Sequence, residues 1–313
     1  MGIYLPIAEL SVNLFTLLAI GAAVGFLSGM FGVGGGFLVT PLLILYNIPP
    51  AIAVGTGANQ VIATSLSGAL VHYKRRSIDF KLGTFLLLGG LVGSSLGAAV
   101  FSLLRSVGQL DLAISLLYVV LLGAIGALML MESLPVLIAS FRPKPAVIAP
   151  IEVPAVSPLQ ALIHRLPWKQ RFGVSQLYIS VIPVLTLGVF IGFLSAIMGV
   201  GGGFIMVPAM IYLLRVPTNV VVGTSLFQII FVSAYTTLVH ATANNAVDVV
   251  LAACLMAGGV VGAQYGADVG QKLKGEQLRS LLAILVLAVA LRIAYGLFVT
   301  PDSVFTISMA GTL

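Results

Sequence analysis

A glycine break inside an apolar run occurs twice in this chain at a fixed separation, and no other feature constrains the fold as strongly. Residues 25–41 read GFLSGMFGVGGGFLVTP and residues 192–208 read GFLSAIMGVGGGFIMVP, identical at 11 of 17 positions with an offset of 167. The register continues with small insertions. Gly55-Thr56 falls on Gly223-Thr224, Gln60 on Gln228, His72 on His240 and Asp79 on Asp248, and GGLVGSSLGA at 89–98 falls on GGVVGAQYGA at 258–267. The chain is a duplication. Paired interruptions of apolar segments at matching positions point to a ligand site inside a membrane.

The inventory requires that membrane. With 59% hydrophobic and 8% charged residues, the chain has too little polar surface to face water on all sides. Apolar runs of about 20 residues recur from end to end, the length that crosses ~30 Å of hydrocarbon as helix. A barrel needs alternation of polar and apolar positions, which LLAILVLAVALRIAYGLF at 281–298 lacks. The expected partner is thus the lipid bilayer, and the net charge of +6 is not a nucleic-acid footprint. The single Cys254 excludes an internal disulfide and a thiolate metal site, and no metal or cofactor is expected. The first Lys is Lys74 and no small-x-small cleavage site precedes it, so residues 11–31 read as a retained helix.

The fold class expected is an all-α, polytopic membrane helix bundle of about ten helices. Spans fall near 11–31, 34–47, 51–73, 80–103, 110–131, 176–198, 203–215, 218–241, 248–270 and 277–299, of which 34–47 and 203–215 are short. If both short segments cross and Lys74-Arg75-Arg76 is cytoplasmic, 13 of the 15 basic residues lie inside, with Arg105 outside and Arg292 within a span. If the short segments only dip in and return, the ratio falls to 9:5, so the positive-inside rule prefers the first arrangement. Five crossings per half make the second repeat inverted, with both termini extracytoplasmic. The domains are then a first transmembrane repeat at 1–131, a cytoplasmic linker at 132–175 and a second repeat at 176–313. The linker holds seven of the 15 prolines and lacks apolar periodicity. Its end, LQALIHRLPWKQRF, reads either as an interfacial helix or as a plain linker anchored by Trp168.

Counting along the helices places several polar groups at one depth. From Phe37 to Asn47 is 11 residues, about 16 Å of helix, which is close to half of a ~30 Å core. Phe204 to Arg215 is one residue longer. Gln60 and Gln228 lie ten and eleven residues beyond Pro50 and Pro217, again near the midplane. Helices that begin inside hydrocarbon leave their first N–H groups in need of a partner, and with the positive end of the dipole they form an anion site. The candidate substrate-binding set is Gly34, Gly35, Gly36, Gly201, Gly202 and Gly203, with Thr56, Asn59, Gln60, Thr224, Ser225 and Gln228 as neutral donors. The bland alternative for glycine is close helix packing, assigned here to Gly21/Gly25/Gly29, Gly89/Gly93/Gly97 and Gly258/Gly262/Gly266 at four-residue spacing. For intramembrane Gln and Thr it is interhelical bonding. A nucleotide loop is excluded, since no Lys-Ser or Lys-Thr follows the glycines.

The doubled GVGGGF…P segment, the Gly-Thr pair in the next helix and VHYKRRSIDF at 71–80 resemble the TauE/SafE family of sulfite exporters. The resemblance covers nearly the whole chain outside the linker. It implies an inner-membrane transporter or exporter of small sulfur-containing anions: sulfite, thiosulfate, or organosulfonates such as sulfoacetate. One departure is informative. The basic triad of the first repeat is replaced by Ala241-Thr242-Ala243-Asn244-Asn245 in the second, as inversion of that loop requires.

No acidic residue falls in the middle of a span, so neither a carboxylate proton relay nor a sodium ligand is available at depth. Asp79 and Asp248 open helices and read as N-caps or as partners of the helix dipole. His72 and His240 are symmetric and read as capping groups or as the titratable pair on a coupling path. Arg292 either attracts anions along the path or pairs within the bundle or snorkels. Anion efflux down an inside-negative potential needs no coupling residue, gaining ~2.3 kcal/mol per charge per 100 mV. An enzyme is not expected, because no nucleophile–base pair or metal triad is present. An anion or small-solute channel, and a carrier of neutral solutes, remain open alternatives, as does the choice between monomer and homodimer.

Overall fold

The computed structural model describes residues 2–31, 34–141, 166–270 and 275–298. Each half begins with a two-stranded antiparallel hairpin and continues as five helices. The first half comprises β1 (Gly2–Leu5), β2 (Leu10–Asn13), α1 (Leu14–Phe31), α2 (Gly36–Leu45), α3 (Pro50–Lys74), α4 (Phe80–Ser106) and α5 (Leu110–Phe141). The second comprises β3 (Lys169–Phe172), β4 (Leu177–Ser180), α6 (Val181–Met198), α7 (Gly203–Tyr212), α8 (Thr218–Thr242), α9 (Val249–Gly270) and α10 (Gly275–Phe298). The chain is therefore a polytopic helical bundle.

Seven of these helices are long and apolar enough to cross a membrane: α1, α4, α5, α6, α8, α9 and α10. Their outer faces expose Phe15, Leu88, Phe190 and Leu291, as lipid contact demands. The other three depart for readable reasons. α2 and α7 are ten residues each, about 15 Å and half a bilayer. α3 has 25 residues but carries Thr56, Asn59, Gln60, Thr64, Ser65 and Ser67, which lower its hydropathy.

The small-residue stripes are where helices touch most closely. A Cβ on Gly25 would lie 2.1 Å from the Gly259 carbonyl oxygen, and one on Gly29 2.1 Å from that of Ala263. On the other side of the bundle, a Cβ on Gly93 would lie 1.9 Å from the Val189 oxygen and one on Gly192 2.1 Å from the Gly90 oxygen. α1 thus packs on α9, and α6 on α4, each across the repeats and each with residue numbers rising together. The central helices α3 and α8 run in opposite directions. Gly223, near the start of α8, lies against His72 at the end of α3, and Gly55, near the start of α3, lies against Ala246 just past α8.

Several boundaries differ from the sequence expectation. α1 starts at Leu14, because residues 2–13 form the first hairpin. α5 runs to Phe141, ten residues beyond 131, since the apolar run of 132–141 continues with a single proline. Lys169–Phe172 forms a strand paired with Leu177–Ser180, where an interfacial helix or plain linker was expected. Most of the expected linker, 142–165, lies outside the described residues.

Candidate functional site

The two glycine motifs meet. Gly35 (φ 68°) and Gly202 (φ 79°) are the left-handed caps from which α2 and α7 start, and no side chain caps either helix. Gly34 and Gly201 are also at positive φ, which glycine adopts without strain. The first rings of the two short helices, Phe37 and Phe204, stack with centroids 4.8 Å apart. A Cβ on Gly36 would lie 2.2 Å from the Val200 oxygen, and one on Gly199 2.4 Å from the Val54 oxygen. Only glycine permits these backbone approaches.

Hydroxyls from the antiparallel pair α3 and α8 flank the loops. Ser65 Oγ lies 3.1 Å from the position of a Cβ on Gly34, and Ser233 Oγ 3.0 Å from that on Gly201. Val61 and Ile229 each lie against both Gly34 and Gly201. Thr64 Oγ1 donates to the Gly34 carbonyl at 3.2 Å; its counterpart, 168 residues on, is Val232. Ser65 and Ser233 are fully buried, and neither hydroxyl has a hydrogen-bond partner. The same holds for both amide atoms of Gln228, for Gln60 Oε1, for Asn59 Nδ2 and for the hydroxyls of Thr236 and Thr237. Buried polar atoms without partners are rare in native proteins, and such a concentration makes this region the candidate binding site.

The expected residues divide into three groups. Gly34–Gly36 and Gly201–Gly203 come together as the centre of the molecule. Gln60 and Gln228 turn to neighbouring helices: Gln60 Nε2 donates to the Gly21 carbonyl at 3.0 Å beside Gly259, and the Gln228 amide packs on Gly90. Thr56, Thr224 and Ser225 are engaged elsewhere. Thr56 Oγ1 accepts from the Asp248 N–H and Thr224 Oγ1 from the Asp79 N–H, both at 3.0 Å, while Ser225 Oγ donates to Val222 within its own helix.

The path residues are structural in this conformation. His240 Nε2 lies 2.8 Å from the Ala196 carbonyl and its Nδ1 3.0 Å from Asn244 Nδ2, a pattern that fits a neutral ring with its proton on Nε2. His72 Nδ1 pairs with Ser77 Oγ at 3.0 Å. The Arg292 guanidinium stands 6.0 Å from the Tyr295 ring on the same peripheral helix. No group of three or more His, Cys, Asp or Glu gathers as a metal site among the described residues.

Sequence reasoning passed over Ser65 and Ser233. The signal was present: both sit five residues after the paired glutamines, at the same offset of 168.

Residues 17–293, which include both glycine motifs, match the family described as sulfite exporter TauE/SafE. The chain belongs to that family. Similar proteins include the probable membrane transporter protein YunE of Bacillus subtilis (strain 168), 27% identical over 296 residues that cover 90% of this chain and 98% of the relative. Another is a probable membrane transporter protein of Xylella fastidiosa (strain 9a5c), 28% identical over 288 residues, 90% of this chain and 95% of the relative. No solved structure matches the chain. As a TauE/SafE member it is a membrane transporter rather than an enzyme.

Proposed function

We propose that the chain exports small sulfur-containing anions across the inner membrane, with sulfite, thiosulfate and organosulfonates such as sulfoacetate as the substrate class. The substrate sits between the two glycine-capped helix N-termini and is reached alternately from either side. The observation that carries this reading is the pair of buried, unpartnered hydroxyls of Ser65 and Ser233 beside two helix starts that are themselves uncapped by side chains. Helix N-termini favour anions, and hydroxyl and amide donors complete the coordination of sulfur-bound oxygens.

The repeats act as an inverted pair. The antiparallel course of α3 and α8, and the exchange of partners between α1·α9 and α6·α4, support this. In the orientation favoured by the basic residues, the central loop is cytoplasmic and both termini are extracytoplasmic. Opposed repeats about a central site supply the two states that alternating access needs.

The test is thermal-shift binding to purified protein with sulfite, thiosulfate, sulfoacetate, sulfate, chloride and a neutral amino acid. Selective stabilisation by a sulfur anion, lost on Gly202→Leu, is the expected outcome. Stabilisation by the amino acid alone would overturn the reading.

A further inference from the structure

The charges around the central site set what it can hold, and we infer that it selects compact monoanions over compact dianions. This rests on the glycine loops being the substrate site. Each helix N-terminus carries about half an elementary positive charge. α2 and α7 start at Gly36 and Gly203, and their first side chains, Phe37 and Phe204, are stacked. Together the two ends offer about one positive charge.

No full charge adds to it. Residues 34–73 contain no Lys, Arg, Asp or Glu, and residues 199–247 contain only Arg215, in the loop after α7. Among the packed neighbours, α1, α6, residues 82–104 of α4 and residues 249–267 of α9 carry no charged side chain, while α5 carries Asp111 and Glu132 and α10 carries Glu276, Arg279 and Arg292. Tyr118 and His240 are bonded to the Met198 and Ala196 carbonyls at the end of α6, just before the second glycine motif. Charges at the helix ends have their own partners. Asp79 and Asp248 accept from backbone N–H groups, Lys81 donates to the Arg171 carbonyl, and Arg105 donates to the Asn244 carbonyl.

The independent pointer to a ligand is the serine pair. Ser65 and Ser233 are 0% exposed, their hydroxyls are unpartnered, and they border Gly34 and Gly201 from opposite helices. They add hydrogen bonds without adding charge. A tetrahedral sulfur group with one negative charge is therefore matched in both respects. A second charge on the same small group would be buried uncompensated, which is strongly unfavourable. A sulfonate meets the requirement with its fixed single charge, and sulfite meets it as hydrogensulfite. Sulfate and thiosulfate, with two charges on one small group, do not, and this narrows the substrate class proposed above by removing thiosulfate.

Three tetrahedral sulfur probes of different charge separate the possibilities: neutral dimethyl sulfone, monoanionic methanesulfonate and dianionic sulfate. Their affinities for the purified full-length protein are measured by calorimetry at one pH and matched ionic strength. Methanesulfonate should bind at least ~100-fold tighter than sulfate, and Ser65→Ala or Ser233→Ala should weaken methanesulfonate about tenfold each. Sulfate binding as tightly as methanesulfonate overturns the charge selection while leaving the anion site intact. Binding of dimethyl sulfone alone, or of none of the three, overturns the anion site and the selection together.

Discussion

The Asp79 N–H donates to Thr224 Oγ1 at 3.0 Å, joining the start of α4 to a helix of the other repeat. The Asp79 carboxylate extends the joint. Its Oδ1 caps α4 through the Leu82 N–H, and its Oδ2 accepts from the N–H and hydroxyl of Ser175 at the tip of the second hairpin. Asp248 repeats the arrangement with Thr56, Leu251 and Ile7 at the tip of the first hairpin. Both aspartates are buried. Each thus binds its own helix and elements of the opposite half. Asp79→Ala removes an N-cap and strands buried donors, and it should lower unfolding stability in detergent by about 2–4 kcal/mol. A double-mutant cycle with Ser175→Ala, whose hydroxyl donates to the carboxylate, should show a coupling of about 0.5 kcal/mol or more; additive effects would mean that the hydroxyl does not sense the aspartate.

Glycines in this chain fall into two kinds, and substitution should separate them. Gly36→Ala places a methyl 2.2 Å from the Val200 oxygen and 2.5 Å from Val61 Cγ2, so the two loops must part. Loss of transport and a stability cost of at least ~2 kcal/mol are expected. Around Gly123 in α5, no atom lies within 4 Å of the place a Cβ would take. Gly123→Ala should be neutral or stabilise by up to ~1 kcal/mol through helix propensity. Thermal unfolding of the two variants beside the unmodified protein measures both.

The duplication, the helical class and the close-packed glycine stripes were legible because they rest on side chains or on hydropathy. The hairpins were not. Their registers, Gly2↔Asn13 and Lys169↔Ser180, differ by the same offset of 167, yet GIYL and KQRF share no residue. The backbone repeats where the side chains have diverged. Non-glycine residues at positive φ make the point again, pairing Glu9 with Gln176, Asn47 with Arg215 and Arg76 with Asn245 at offsets of 167 to 169. Ser65 and Ser233 were obscured differently: a serine inside an apolar helix commonly bonds to its own backbone, and only the tertiary structure shows that these two do not.

Those left-handed residues offer a stabilising change. Asn tolerates positive φ through local hydrogen bonding, whereas Arg incurs about 1–2 kcal/mol there. Arg215 (φ 54°) occupies the turn that Asn47 (φ 62°) occupies in the first repeat. Arg215→Asn should raise unfolding stability by roughly 0.5–1 kcal/mol, read as an upward shift of the thermal midpoint.

The proposed inversion of the repeats makes a topological prediction. Ile7 and Val174 are equivalent residues at the two hairpin tips, 41% and 44% exposed. In a Cys254→Ala background, Ile7→Cys should react with a membrane-impermeant thiol reagent applied outside intact cells, and Val174→Cys only after permeabilisation. Labelling of both from the same side would rule out inversion.

The two glutamines should respond differently to loss of their amides. Gln60 Nε2 holds the Gly21 carbonyl, so Gln60→Leu removes a buried bond and should cost about 1–3 kcal/mol of stability. Neither amide atom of Gln228 has a partner, although the side chain is 0% exposed. Replacing an unsatisfied buried polar group with an apolar one of similar shape relieves its desolvation cost. Gln228→Met should therefore leave stability unchanged or raise it by about 1–2 kcal/mol, while anion transport in proteoliposomes falls at least tenfold. A gain in stability at the expense of activity is the signature of a group kept for its ligand. Full transport by Gln228→Met would instead assign that amide to helix packing against Gly90.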